Sequence, residues 1–224
     1  MMKPEDFPLD ESIALDPDKI FFIKSSSGHS SDVAIFDVTT KVERNYDDMS
    51  DQFVDEVETL AKDVEPSSAT LELKRPRFLK RRTIVMDNSK EQVAEINAPV
   101  LGFGVRKFSF PQGSSHSSHD IEMKPVSIGS RAEGFVKDSV QYFWDKQDKI
   151  ATLSKVMGDK RVHIAKFGAK HNYDKGGVLA LDTQQIDAVV AMITCVALLQ
   201  QLDSFAGPLP HAKWAGLTWG MNMV

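Results

Sequence analysis

A single cysteine, Cys195, stands in 224 residues. No internal disulfide can form, and a lone thiol suits a reducing compartment. The chain also lacks the roughly 18 consecutive apolar residues that a membrane-spanning helix needs. Its opening, MMKPEDFPLDES, is acidic and broken by prolines, the reverse of the basic-then-apolar order of a secretory signal. Close glycine groupings are scarce: Gly102-Phe103-Gly104 and Gly176-Gly177 are the two. Neither opens a helix at phosphate-loop spacing, and Gly176-Gly177 is expected to turn the chain into a strand. Bases and aromatics do not interleave as in nucleic-acid platforms, and an isoelectric point near 5.7 argues against a general nucleic-acid partner. These absences lead us to expect a cytoplasmic protein with no transmembrane span and no cofactor. A chain of this length buries most of its surface without staples.

What is present is mainly period-two patterning. Short runs rich in Val, Ile, Phe and Thr, bounded by turn residues, predict strands at 19–24, 32–39, 69–75, 81–87, 91–97, 103–110, 120–126, 139–144, 151–156, 161–167 and 178–181. Two hairpins are expected, turning at Asn88-Ser89 and Gly158-Asp159. No helix alternates with the strands, so a barrel or sandwich is favoured over an α/β fold.

Two helices interrupt the pattern. Residues 50–64 place Phe53, Val57, Leu60 and Val64 on one stripe behind Ser50 as N-cap, predicting an acidic amphipathic surface helix. Residues 183–202 differ. Asp182 is the expected cap, with Gln185 as its capping-box partner, and AVVAMITCVALLQQL carries no charge. A helix apolar on every face must be enclosed, and this one is too short for a bilayer, so the sheet should surround it. The expected fold is mainly β: a closed antiparallel barrel of about 11–12 strands around a buried C-terminal helix. Residues 1–17 form an N-terminal extension, 18–205 one domain, and 206–224 a tail bearing Trp214 and Trp219.

The net charge of −5 is mild, but its distribution is not. Residues 45–65 hold eight acids (Asp47, Asp48, Asp51, Asp55, Glu56, Glu58, Asp63, Glu65) and one base, Lys62. Nine residues later in the chain, Lys74, Arg75, Arg77, Lys80, Arg81 and Arg82 put six bases into nine positions. Pro76 implies an edge or loop there. Arginines and lysines converging from two strand ends would hold a phosphorylated headgroup, and Phe78 and Leu79 would meet the membrane interface. The plainer alternatives are a solvated basic edge or pairing with the acidic helix, which is close enough to fold over the patch as a removable lid. A nuclear-localisation reading of the same run is weaker.

Other candidates carry less. His116 and His119 have metal-ligand spacing but lie in a serine-rich loop, 112–119, expected to be solvated and mobile, as is 25–31. His163, His171 and Asp174 would allow acid–base work, yet no nucleophile motif accompanies them. Cys195 lies mid-helix in an apolar run and should be inert, and Thr194 should bond back to its own helix. No metal site and no catalytic residue is assigned.

Three stretches carry a family likeness. IFDVTT (35–40), VQYFWDKQDKIATLSKV (140–156) and the closing unit from VHIAKFG to ALLQQLD (162–203) resemble the tubby C-terminal-like superfamily. That group comprises tubby domains, LURP-one-related proteins, phospholipid scramblases and many fungal proteins, the last being nearest in pattern. The resemblance lies in hydrophobic order, with the acidic helix as an insertion, and implies a twelve-stranded barrel around a central helix. Some relatives bind phosphoinositides and others associate with membranes, and the likeness carries over no binding residue by position. Taken with the basic run Lys74–Arg82, it leads us to expect a non-enzymatic module for phosphoinositide or other anionic membrane lipid. The alternative is an intracellular protein-interaction domain using the acidic helix and the tryptophan-bearing tail. Peripheral membrane or nuclear residence would accompany these readings.

Overall fold

A computed structural model describes residues 2–25, 32–43, 46, 49–76, 81–99, 104–127, 130–169 and 176–206. Its centre is helix α2 (Ala188–Ala206). Every side chain from Val190 to Leu199 is at most 6% exposed, as an all-round apolar sequence requires. Around it run β1 (Lys19–Ser25), β2 (Val33–Asp37), β3 (Leu71–Lys74), β4 (Arg82–Asp87), β5 (Gln92–Asn97), β6 (Arg106–Ser109), β7 (Ile121–Pro125), β8 (Ala132–Lys137), β9 (Val140–Gln147), β10 (Ile150–Met157), β11 (Lys160–Gly168) and β12 (Gly176–Leu181). Each strand pairs with the next, and β12 pairs antiparallel with β1 to close the barrel.

The pleat sorts the side chains. Phe21, Ile23, Leu71, Leu73, Val85, Phe108, Met123, Phe135, Trp144 and Leu153 point inward against α2. The Trp144 indole Nε1 donates to Thr194 Oγ1 at 3.1 Å, and that hydroxyl donates in turn to Val190 O at 2.8 Å. The indole N–H and the threonine hydroxyl are thereby matched, which a buried indole requires.

β1 and β12 are apolar on both faces because α1 (Asp51–Lys62) covers them from outside. Ser50 Oγ accepts the Phe53 amide at 3.1 Å, the N-cap expected from the sequence. Phe53, Val54, Val57 and Ala61 pack on Ile20, Phe22, Val178 and Ala180. Phe53 and Val57 are fully buried. The helix is therefore a fixed part of the wall, not a removable lid. Its apolar face is committed to β1 and β12.

Other expectations need correction. A twelfth strand, β8, lies between the predicted strands 120–126 and 139–144, where Glu133 and Gly134 break the alternation. It reaches β9 through Asp138-Ser139, both at positive φ (50° and 65°), a tight turn whose twist matches the flanking strands. Gly176 and Gly177 are the start of β12 and not a turn before it. At Gly176 a β-carbon would lie 1.9 Å from the Ile23 carbonyl, so only glycine lets β12 close on β1. Helix α2 begins at 188, not 183. Residues 183–185 form a turn on Asp182, and the cap is Asp187, whose Oδ1 accepts the Val190 amide at 3.0 Å. The chain needs that turn to leave the wall and enter the barrel.

The loop 112–119 also has a fixed place. His116 Nδ1 lies 3.1 Å from Asp187 Oδ2, and Ser117 is buried with its hydroxyl donating to His119 O. The loop thus closes the barrel over the start of α2.

Replacing Val190 by Asp puts an unpaired charge against Trp144 and its neighbours. We expect a loss of at least 4 kcal/mol, read as loss of the cooperative melt in circular dichroism. An unshifted transition would contradict the enclosed helix.

Candidate functional site

The end of the barrel where α2 finishes is polar, and strand alternation explains why. Leu71 and Leu73 face inward, so Arg75, next in that series, turns into the mouth, while Glu72 and Lys74 face out. Phe108 faces inward, so Arg106 does too. Phe135 sets the same direction for Glu133, and Trp144 for Lys146. The last described side chains of α2, Gln200 and Gln201, meet them. Arg75 Nη2 donates to Gln200 Oε1 at 3.4 Å, and Gln201 Nε2 donates to Glu133 Oε1 at 2.7 Å. Gly104, at φ +75°, lets the backbone approach this pair: a β-carbon there would sit 2.8 Å from Gln201 Nε2 and from Pro125.

The basic run divides. Lys74 pairs with Glu72 at 3.0 Å on the outer face, and Lys90 shares that carboxylate. Arg82 pairs with Glu95, also outside. Arg81 is exposed at the rim. Arg75 alone among these enters the mouth, its backbone amide held by Asp32 Oδ1 at 3.1 Å. Arg77, Lys80 and the apolar pair Phe78 and Leu79 lie outside the described residues. Beside Lys74 is a crevice of about 220 Å3 lined by Val33, Ala34 and Phe36.

The electrostatics of the mouth are unbalanced. Burial lowers the affinity of Arg75 for its proton. The same is true of Arg106, where Glu133 partly offsets burial and the charge of Arg75 adds to it. Lys146 is lowered by burial and by Arg131. Among the described residues neither guanidinium forms an ion pair, and Arg106 donates to its neighbour's carbonyl, Val105 O, at 3.1 Å. Glu133, the acid acting on Arg106 and Lys146 among the described residues, is 5% exposed. Burial pushes its pKa up to about 7 despite the opposing influence of Gln201, Arg106 and Lys146. Three buried atoms have no hydrogen-bond partner here: Arg75 Nε, Glu133 Oε2 and Gln201 Oε1.

Among the described residues the histidines do not assemble a site. His116 faces Asp187, whereas His119 is 3.8 Å from Asp138. Among the described residues no group of three or more His, Cys, Asp or Glu is placed to hold a metal. His163 lines a cavity of about 610 Å3 outside β9–β11, together with Asp145, Lys149, Arg161 and Lys166; His171 and Asp174 lie outside the described residues. Cys195 is fully buried, and burial raises its thiol well above the ordinary range, consistent with an inert side chain.

Reading the run 74–82 found Arg75 but not Arg106, Glu133, Lys146 or Gln201. The available signals were Arg106 two places before an inward Phe108 and a Gln-Gln pair ending a charge-free helix.

No family model matches the chain, and no curated protein matches it significantly. Among solved structures, the X-ray structure of a protein from Arabidopsis thaliana aligns at 11% identity with a TM-score of 0.49, over 90% of this chain and 96% of that one. Among the described residues no helix is long and apolar enough to cross a membrane.

Glu133 titrates higher in the folded chain than its ordinary value of 4.5, so folding takes up a proton between the two. Stability then falls as pH rises from about 4.5 to about 7. The melting temperature of Glu133→Gln, relative to the parent, should therefore rise between pH 5 and pH 8. A pH-independent difference would contradict this assignment.

Proposed function

We propose that this chain is a non-enzymatic binding module for phosphoinositide or another anionic membrane lipid, engaged at the basic end of the barrel. One observation carries the reading: Arg75 and Arg106, 31 residues apart in the chain, turn into one mouth, and among the described residues neither forms an ion pair. Two partly desolvated guanidiniums side by side repel each other, and an oxyanion between them removes that cost while accepting bidentate hydrogen bonds. Arg131 and Lys146 extend the positive potential across neighbouring strands, and Lys74, Arg81 and Arg82 extend it onto the outer rim. The crevice at Val33, Ala34 and Phe36 offers apolar surface next to Lys74 for part of an acyl chain. The resemblance to tubby-like and scramblase-like domains supports the same class of ligand.

Replacing Arg77, Arg81 and Arg82 together by Ser tests the basic run. With each base near an anionic surface worth about 1 kcal/mol, the triple variant should bind phosphoinositide vesicles on the order of 100-fold more weakly, with an unchanged melt. Parent binding should weaken steeply between low and high salt. Co-sedimentation that is insensitive to both changes rejects the lipid reading and favours a protein partner.

A further inference from the structure

We infer that the barrel mouth is a proton-linked oxyanion site, in which a phosphate-type group lies between Arg75 and Arg106 while Glu133, as a neutral acid, pairs with the Gln201 carboxamide. The inference deepens the anion-binding reading and rests on it for the two arginines. What it adds is the role of the buried acid.

The unpartnered atoms lead to it. Gln201 Nε2 donates to one oxygen of Glu133, which leaves Glu133 Oε2 and Gln201 Oε1 buried and unsatisfied. Both are acceptors when the acid is ionised, and an unsatisfied buried acceptor costs about 1–3 kcal/mol. A single proton on Oε2 resolves both, because a carboxylic acid and a carboxamide close a ring of two hydrogen bonds, N–H to one oxygen and O–H to the other. A cation would also satisfy two acceptors, but the surroundings are cationic. The charged groups facing Glu133 are Arg106 from β6 and Lys146 from β9, with Arg131 acting on Lys146 and Arg75 acting on Arg106.

Protonation of Glu133 changes what the arginines can do. Once neutral, the acid no longer offsets the charge of Arg106, and Arg75 Nε remains a buried donor without an acceptor. The two guanidiniums then repel each other, and among the described residues neither forms an ion pair. A tetrahedral oxyanion supplies enough acceptors for both forks. A bound anion also makes ionisation of Glu133 harder by like-charge repulsion. Anion binding and proton binding therefore favour each other, and by linkage the effect is reciprocal.

Sulfate is a suitable probe, since its charge does not change between pH 6 and pH 8. We expect isothermal titration of the full chain to show sulfate binding about tenfold weaker at pH 8 than at pH 6, as one acid titrating near 7 requires. Near pH 7, buffers of different ionisation enthalpy should report proton uptake. Glu133→Gln keeps the carboxamide pair without a titrating group, so it should bind with the low-pH affinity at every pH. Arg106→Gln should abolish binding. If it fails to fold, Arg106→Lys, which keeps the charge and loses the fork, should weaken binding at least tenfold. Displacement of sulfate by phosphoinositide vesicles would assign a lipid headgroup, and displacement by inorganic phosphate alone a free anion. Sulfate affinity equal at pH 6 and 8, pH dependence surviving in Glu133→Gln, or no sulfate binding at all would overturn the inference. Vesicle binding in the face of any of these results would leave the lipid reading standing without it. Proton-linked sulfate binding without vesicle binding would do the reverse.

Discussion

A helix with no polar face has to be surrounded, and the rest of this molecule follows from that demand. Enclosing α2 takes a sheet that curves back on itself, so every strand needs an inward apolar side and β1 must find β12. The demand stops at the helix ends, where backbone polarity returns. At one end Asp187 caps the first turn and His116 holds Asp187. At the other, Gln200 and Gln201 meet the side chains of Arg75 and Glu133. The ends differ: one is closed by matched hydrogen bonds, the other holds charged groups that are not all matched.

Much of the fold was legible because local and global patterns agree. The period-two runs, the turns at Asn88-Ser89 and Gly158-Asp159, and the charge-free stretch 188–202 each point to the same architecture, as consistent sequences do. The failures have local causes. Strand β8 places Glu133 and Gly134 where an apolar residue would have marked it. Asp182 and Gln185 have the spacing of a capping box, yet they serve a turn, because the chain must change direction before it can enter the barrel.

The site was less legible, since it depends on register. Lys74 and Arg75 are neighbours in sequence, but the pleat sends one to Glu72 on the outside and the other into the mouth. A run of six bases looks uniform until alternation divides it. Arg106, Glu133, Lys146 and Gln201 come from four separate elements, and no spacing in the chain announces that they converge. What a sequence can show is that an inward series ends in a charge. Leu71, Leu73, Arg75 is such a series, and so is Phe108 read back to Arg106.

The seam between β1 and β12 has a consequence for how the molecule is made. Lys19 pairs with Leu181, so the first strand to leave the ribosome waits for the last. At about 5–20 residues per second, that delay is roughly ten to thirty seconds. Throughout it, a strand apolar on both faces (Ile20, Phe21, Phe22, Ile23) has β2 on one side and an open edge on the other. Helix α1 is synthesised early in this interval, and its residues Phe53 and Val57 are the natural cover for one of those faces. The acidic outer surface of that helix would then keep a half-built barrel soluble until its final strand arrives.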